Sequence, residues 1–134
     1  MYIWDKDKYS VGIDEIDEQH EYMFSLIKEI YYKIIENDEE SIKAYLYKAL
    51  EHANIHFKTE ISYLVMNKIP ENEIVNHINE HFYLHEKLNE ILKKLLLDNG
   101  KIMIDMALFI NKWISEHIIE YDLVAFNKIR ENKV

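Results

Sequence analysis

The segment NHINEHFYLHEKL places His77, His81 and His85 at intervals of four residues. In a helix such residues share one face, so three imidazoles line a stripe whose neighbours are mostly apolar. Histidines with carboxylates nearby recur along the chain. His20 closes the string DEIDEQH, His56 precedes Glu60 in HFKTE, and His117 precedes Asp122 in HIIEYD. A lone imidazole on an apolar stripe is ordinarily a satisfied core or boundary residue. Imidazoles from every helix, two of them beside a carboxylate, are harder to bury, because each polar group needs a partner. A bound cation supplies one partner to all of them. Five imidazoles and two carboxylates exceed what one tetrahedral zinc ion takes and suit two octahedral ions that share the carboxylates.

Helices must hold these groups, and composition leaves little else. The chain has 134 residues with two glycines and one proline, too few breakers for a turn-rich β fold. Its length fits one domain, 1–134, able to bury a core unaided. A net charge of -9 argues against a nucleic-acid partner. No apolar run is long enough to cross a bilayer, and MYIWDKDKYS has neither the basic start nor the apolar centre of an export signal. No membrane partner and a cytoplasmic location are therefore expected. The absence of cysteine removes disulfides, thiolate sites and cysteine nucleophiles together.

Apolar periodicity predicts an extended N-terminal arm over 1–16 and helices over about 17–36, 39–67, 72–97 and 101–128. Asp17 is the expected N-cap of the first helix, the NDEES cluster a turn, and Asp98-Asn99-Gly100 a helix stop. Ile74, Ile78, Leu88, Ile91, Leu92 and Leu95 are expected on the inner side of the third helix. The fold class is all-α, an antiparallel up-down-up-down four-helix bundle. In such a bundle, residues equally far from one end share a height, at ~1.5 Å per residue. His20 lies about 16 residues before the first turn, and the midpoint of His56 and Glu60 about 19 after it. The midpoint of His117 and Asp122 lies about 18–19 residues after Lys101. The midpoint of His77 and His81 lies about 18 residues before its helix end, against about 14 for His81 and His85. Four segments converge on one layer, and His77 and His81 are the pair that belongs to it. His52 and His85 read as boundary residues, and the ten tyrosines as core or surface aromatics.

The donor set favours iron, with manganese second. The ferritin-like di-iron bundles use Glu-x-x-His, and none of the seven histidines here has a glutamate three residues before it. A nitrogen-rich set instead suits iron that binds oxygen reversibly.

The segments WDKDKYSVGIDEIDEQH, HFKTE, NHINEH and WISEHIIEYD together resemble the hemerythrin family over nearly the whole chain. That resemblance implies the ligands His20, His56, Glu60, His77, His81, His117 and Asp122. It implies one iron held by His77, His81 and His117 and a second by His20 and His56. Glu60, Asp122 and an oxo or hydroxo group would bridge them, leaving one iron open to O2. His117 and Asp122 are five apart, about 140° round an ideal helix, whereas Glu120 points more naturally with His117. Choosing Asp122 therefore requires a local helix distortion or a reach from the flank. Met23, Phe24, Phe57, Trp113 and Ile118 are the apolar residues expected around the open position.

Three functional classes follow. The first is reversible O2 binding for storage, sensing, or delivery to an O2-accepting protein partner, with no catalysis. The second is a di-iron enzyme acting on O2, peroxide or nitric oxide, and the third a metal- or gas-responsive regulatory module. Room for only a small ligand favours the first.

Overall fold

A computed structural model describes residues 1–96 and 100–132. After a one-turn helix, α1 (Lys6–Tyr9), come α2 (Asp14–Ile35), α3 (Glu39–Met66) and α4 (Glu71–Leu96). The last long rod is composite: α5 (Gly100–His117), a π-helical turn over Ile118–Asp122, and α6 (Leu123–Asn132). Both α2 and α4 pack against α3 and α5, so the four rods close into an antiparallel bundle. Residues 97–99, including Asp98 and Asn99 of the expected helix stop, lie outside the described residues.

The turns explain themselves chemically. At the end of α2, Asn37 takes φ 56°; its N–H donates to Ile34 O and that of Asp38 to Lys33 O. This is the Schellman arrangement, and asparagine tolerates the left-handed residue it needs. Asp38 then caps α3 by accepting from Ser41 N–H at 3.2 Å. The end of α3 repeats the device with Lys68 at φ 59°, the Ile69 N–H reaching Leu64 O. Ile69 and Leu64 are both buried in one apolar cluster, the hydrophobic contact that commonly completes the motif.

Three expectations are corrected. Asp17 is not an N-cap: α2 starts a turn earlier, and Asp17 accepts instead from Val11 N–H at 2.9 Å and from the Ser10 hydroxyl. A tertiary contact to the arm displaces the local cap. Nor is the arm wholly extended. Asp5 caps α1 by accepting from Asp7 N–H, and the Tyr9 hydroxyl is 2.6 Å from Ser115 Oγ in the interior. The Asn111 side chain brackets Tyr2, accepting from its N–H at 2.7 Å and donating to its carbonyl at 2.8 Å. Finally, Ile78 faces outward, 48% exposed, because His77 and His81 hold the inward positions of that turn and Ile78 is about 100° away from His77.

The interior has three zones. A large apolar cluster includes Ile27, Ile30, Leu46, Ala49, Leu88, Ile91, Ala107 and Ile110. A smaller one gathers Val11, Ile16, Leu64, Ile69, Ala125, Phe126 and Ile129. Between them every rod contributes polar side chains. His20 lies between Ile16 and Met23, His56 and Glu60 between Ala53 and Leu64, and His77 and His81 between Ile74 and Leu84. His117 and Asp122 lie between Ile114 and Ala125. All seven are buried.

Candidate metal centre

The seven residues fall into two groups that meet at Glu60. Glu60, His77, His81 and His117 offer donor atoms within 4.8 Å of one another, and so do His20, His56, Glu60 and Asp122. That span is close to the ~4 Å between opposite ligands about one transition-metal ion bound at ~2.1 Å. One Glu60 oxygen, Oε1, lies 3.1 Å from His77 Nδ1 and from His81 Nε2. The other, Oε2, lies 3.1 Å from His56 Nε2 and 3.7 Å from His20 Nε2. Asp122 spans the groups in the same way, with Oδ2 3.1 Å from His20 Nε2 and Oδ1 3.2 Å from His117 Nε2.

Asp122 reaches the layer because of the π turn, where the Leu123 N–H donates to Ile118 O, five residues back. The wider turn brings residues five apart toward one face, as His117 and Asp122 require. Glu120 is exposed. His85 stays outside both groups, half-buried, its Nδ1 accepting from Asn89 Nδ2. His52 is half-buried and donates from Nε2 to Gln19 O at 2.8 Å; burial lowers its pKa.

Two partners were not legible from residue types. Gln19 Oε1 accepts from His56 Nδ1–H at 2.7 Å, which directs the Nε2 lone pair inward. Glu80 Oε2 lies 3.8 Å from His117 Nδ1, and the nearby imidazole holds the Glu80 carboxyl below its usual range. Both sit directly before a site histidine, a position that carries no sequence signal. Aromatic rings brace the other imidazoles: Phe57 stacks on His81 at 3.8 Å between centroids and 5° between planes. Trp113 and Tyr121 lie near-parallel to His117 at 4.8 and 5.3 Å.

Electrostatics show how strongly the groups of the layer act on one another. Burial opposes charge on His20 and His117, yet the adjacent carboxylates, Asp122 foremost, push them up to about 9 and about 10. Burial likewise disfavours ionised Glu60, and four surrounding histidines outweigh it, holding the carboxyl well below its usual range. Asp122 is lowered too: burial and Glu60 oppose ionisation, and His117 and His20 prevail. His56 moves down, through burial first and then the charge of His20. A neutral His56 therefore turns a bare Nε2 toward a bare Glu60 oxygen. Both ring nitrogens of His20 and of His117, Glu60 Oε2 and both Asp122 oxygens have no aligned hydrogen-bond partner. Each such buried atom costs about 1–3 kcal/mol, although His20 Nε2, His117 Nε2 and the carboxylate oxygens each stand 3.1–3.7 Å from an imidazole or carboxylate counterpart. Donor atoms that converge without hydrogen-bond alignment fit a shared cation that displaces the imidazole protons, and the nitrogen and oxygen donor set fits iron or manganese.

Beside the layer lies a small apolar cavity of about 20 Å³, bounded by His20, His56 and His117 on one side. Met23, Phe57, Leu84, Trp113, Ile114 and Ile118 complete its lining. Phe24 is not among them and packs instead against Trp4 and Tyr9. Leu84 and Ile114 were findable, each lying three residues from a site histidine toward the large apolar cluster.

A four-helix bundle with a buried histidine and carboxylate layer between two apolar cores defines a metal-binding helical protein. The Hemerythrin HHE cation binding domain matches residues 11–129, and the chain belongs to the hemerythrin family. It is 30% identical over 128 residues to a bacteriohemerythrin of Clostridium acetobutylicum, covering 91% of this chain and 96% of that protein. No solved structure matches it.

Proposed function

We propose that this chain, acting as one hemerythrin-like domain over 1–134, is a cytoplasmic non-haem di-iron protein that binds O2 reversibly. The observation that carries this reading is the small apolar cavity against His20, His56 and His117, beside two donor groups that share Glu60. His77, His81 and His117 would hold one iron, His20 and His56 the other, with Glu60, Asp122 and an oxo or hydroxo group as bridges. Once bound, the iron pair supplies two reversible one-electron equivalents for O2.

The chain's own residues do the remainder. Gln19 fixes the His56 tautomer by accepting from Nδ1–H, while Phe57, Trp113 and Tyr121 hold His81 and His117 by their ring faces. Leu84, Ile114 and Ile118 offer an entering molecule no hydrogen bond, and Met23 only a weakly accepting sulfur. Water and small anions lose their solvation there without compensation, whereas O2 has almost none to lose. A cavity of about 20 Å³ exceeds the ~10–15 Å³ needed for one water-sized molecule, which restricts the site to small ligands. No helix among the described residues is long and apolar enough to cross a membrane.

The test is a cycle. The iron-loaded protein is reduced anaerobically, exposed to O2, then returned to low O2 while the visible spectrum is followed. A charge-transfer band that rises and reverses over several cycles is the expected result. One-way oxidation with release of peroxide would overturn carriage and favour an enzyme of the same centre.

A further inference from the structure

One tyrosine is set apart by its neighbours. Tyr83 is 37% exposed, and its ring lies 5.9 Å from that of Trp113. Trp113 in turn is stacked on His117, 4.8 Å between centroids and 14° between planes. These contacts fall within the range of direct aromatic packing, so three touching rings lead from solvent to an imidazole of the donor layer. Tyr121 also stacks on His117 but does not line the cavity as Trp113 does, and elsewhere the imidazoles meet poorer relays. His81 is covered by Phe57, a ring that does not give up an electron readily. Tyr22 reaches only His52, edge-on, which then faces His56 at 6.4 Å. With no cysteine in the chain, indole and phenol are its most readily oxidised rings. Trp113 also lines the cavity, so it stands where an oxidant would form.

We propose that Trp113 and Tyr83 form an exit for oxidising equivalents, a protective function that rests on the iron reading of the preceding section. The oxidant class is a peroxide, whose cleavage to two waters takes two electrons and two protons: the reduced pair would supply one electron, Trp113 the other and solvent the protons, leaving an indole radical. Tyr83 then gives one electron to the indole and its phenolic proton to water, restoring Trp113. An external one-electron reductant, such as ascorbate, returns one electron to the phenoxyl while solvent returns the proton. Direction comes from placement: the indole is inside and the phenol that must shed a proton is at the surface. Lys87, whose ammonium lies 5.3 Å from the Tyr83 ring centre, favours the approach of an anionic reductant.

The first test needs no metal. In full-length protein carrying Trp4→Phe, Trp113 is the sole indole, and azide radicals generated by pulse radiolysis oxidise it. The indole-radical band should decay into a phenoxyl band at a rate independent of protein concentration. Tyr83→Phe should slow that conversion roughly tenfold or more, by removing the ring in contact, and Tyr121→Phe should leave it unchanged. Conversion at the parental rate in Tyr83→Phe, or its loss in Tyr121→Phe, would overturn the assignment. The second test adds hydrogen peroxide to the reduced iron-loaded protein and looks for a tyrosyl radical by freeze-quench electron paramagnetic resonance. A signal present in the parent and lost in Tyr83→Phe supports the exit. A protein that binds iron yet forms no such radical refutes it and leaves O2 binding standing. A protein that binds no iron refutes the proposed function instead, and the metal-free radical transfer is then judged alone.

Discussion

The two donor groups share a carboxylate but are held in place by different forces. His81 and His117 are steadied largely by ring faces, Phe57 on the first and Trp113 and Tyr121 on the second, while His77 meets its neighbouring rings edge-on. His56 is oriented by a hydrogen bond from Gln19, a residue that also engages His52 through its carbonyl. Packing by aromatic area is broad and tolerant of small shifts, whereas one buried hydrogen bond is directional and is lost whole. The three-histidine group should therefore fail gradually and the two-histidine group abruptly.

The largest expected effect erases the contrast. Glu60→Gln alters the one residue common to both groups, and iron content should fall from about two ions per chain toward zero. Retention of one ion would show that the groups fill independently. Next, His77→Ala should remove the three-histidine ion, leaving about one per chain, whereas His85→Ala should leave about two. If the His85 change strips iron and the His77 change does not, the pair has been placed one turn off.

In one respect the groups are alike, since without metal each contains a histidine raised well above 6.5, His20 to about 9 and His117 to about 10. A raised folded-state pKa contributes stability that is complete below the unfolded value and lost as pH rises through the folded one. Glu60 and Asp122, being lowered, contribute above their unfolded values of 4.5 and 3.8 and lose that contribution as the medium turns acid. Below 6.5 the lowered His56 costs stability, so metal-free protein should have its highest Tm near pH about 6.5 and lose stability toward pH about 9–10. Iron loading near neutral pH should release about two protons per chain, measurable in weakly buffered indicator solution. Release of none would show that the imidazoles were already neutral.

Smaller effects probe the supports themselves. Gln19→Ala should weaken the second ion roughly 10–100-fold with little change in folding. Phe57→Ala should lower stability by about 2 kcal/mol while metal titration shows both ions still bound. Equal affinity losses in the two variants would end the distinction drawn here. The smallest effect expected is none: Glu120→Ala should change neither iron content nor Tm.

The polar layer was legible because heights in a bundle follow from counting residues, and seven polar side chains on four rods met at one count. The choice between Glu120 and Asp122 shows where counting stops. Five-residue spacing demanded some distortion, but which backbone hydrogen bonds would shift depends on the neighbouring rods rather than on HIIEYD itself. Ile78 faces outward, and Phe24 lies outside the cavity lining, for a related reason. Helical phase says which residues share a side, but not that His77 and His81 take the inward positions or that Trp4 and Tyr9 of the arm take Phe24. Asp17 was a sound local cap until the backbone amide of Val11, six residues earlier, competed for its oxygens. Gln19 and Glu80 had no signal, since their partners lie 37 residues away in each case.

The π turn also works as a phase shifter. Relative to a continuous α-helix it holds one residue of slack, equivalent to about 100° of rotation. That slack turns Asp122 inward, and it also sets the azimuth of everything beyond. Ala125, Phe126 and Ile129, which close the smaller core against Val11, Ile16 and Leu64, face inward only because the extra residue precedes them. A chain shortened by one residue between His117 and Asp122 would regain perfect helical hydrogen bonding. It would also roll its whole C-terminal segment off the bundle, trading local regularity for a mistimed gear.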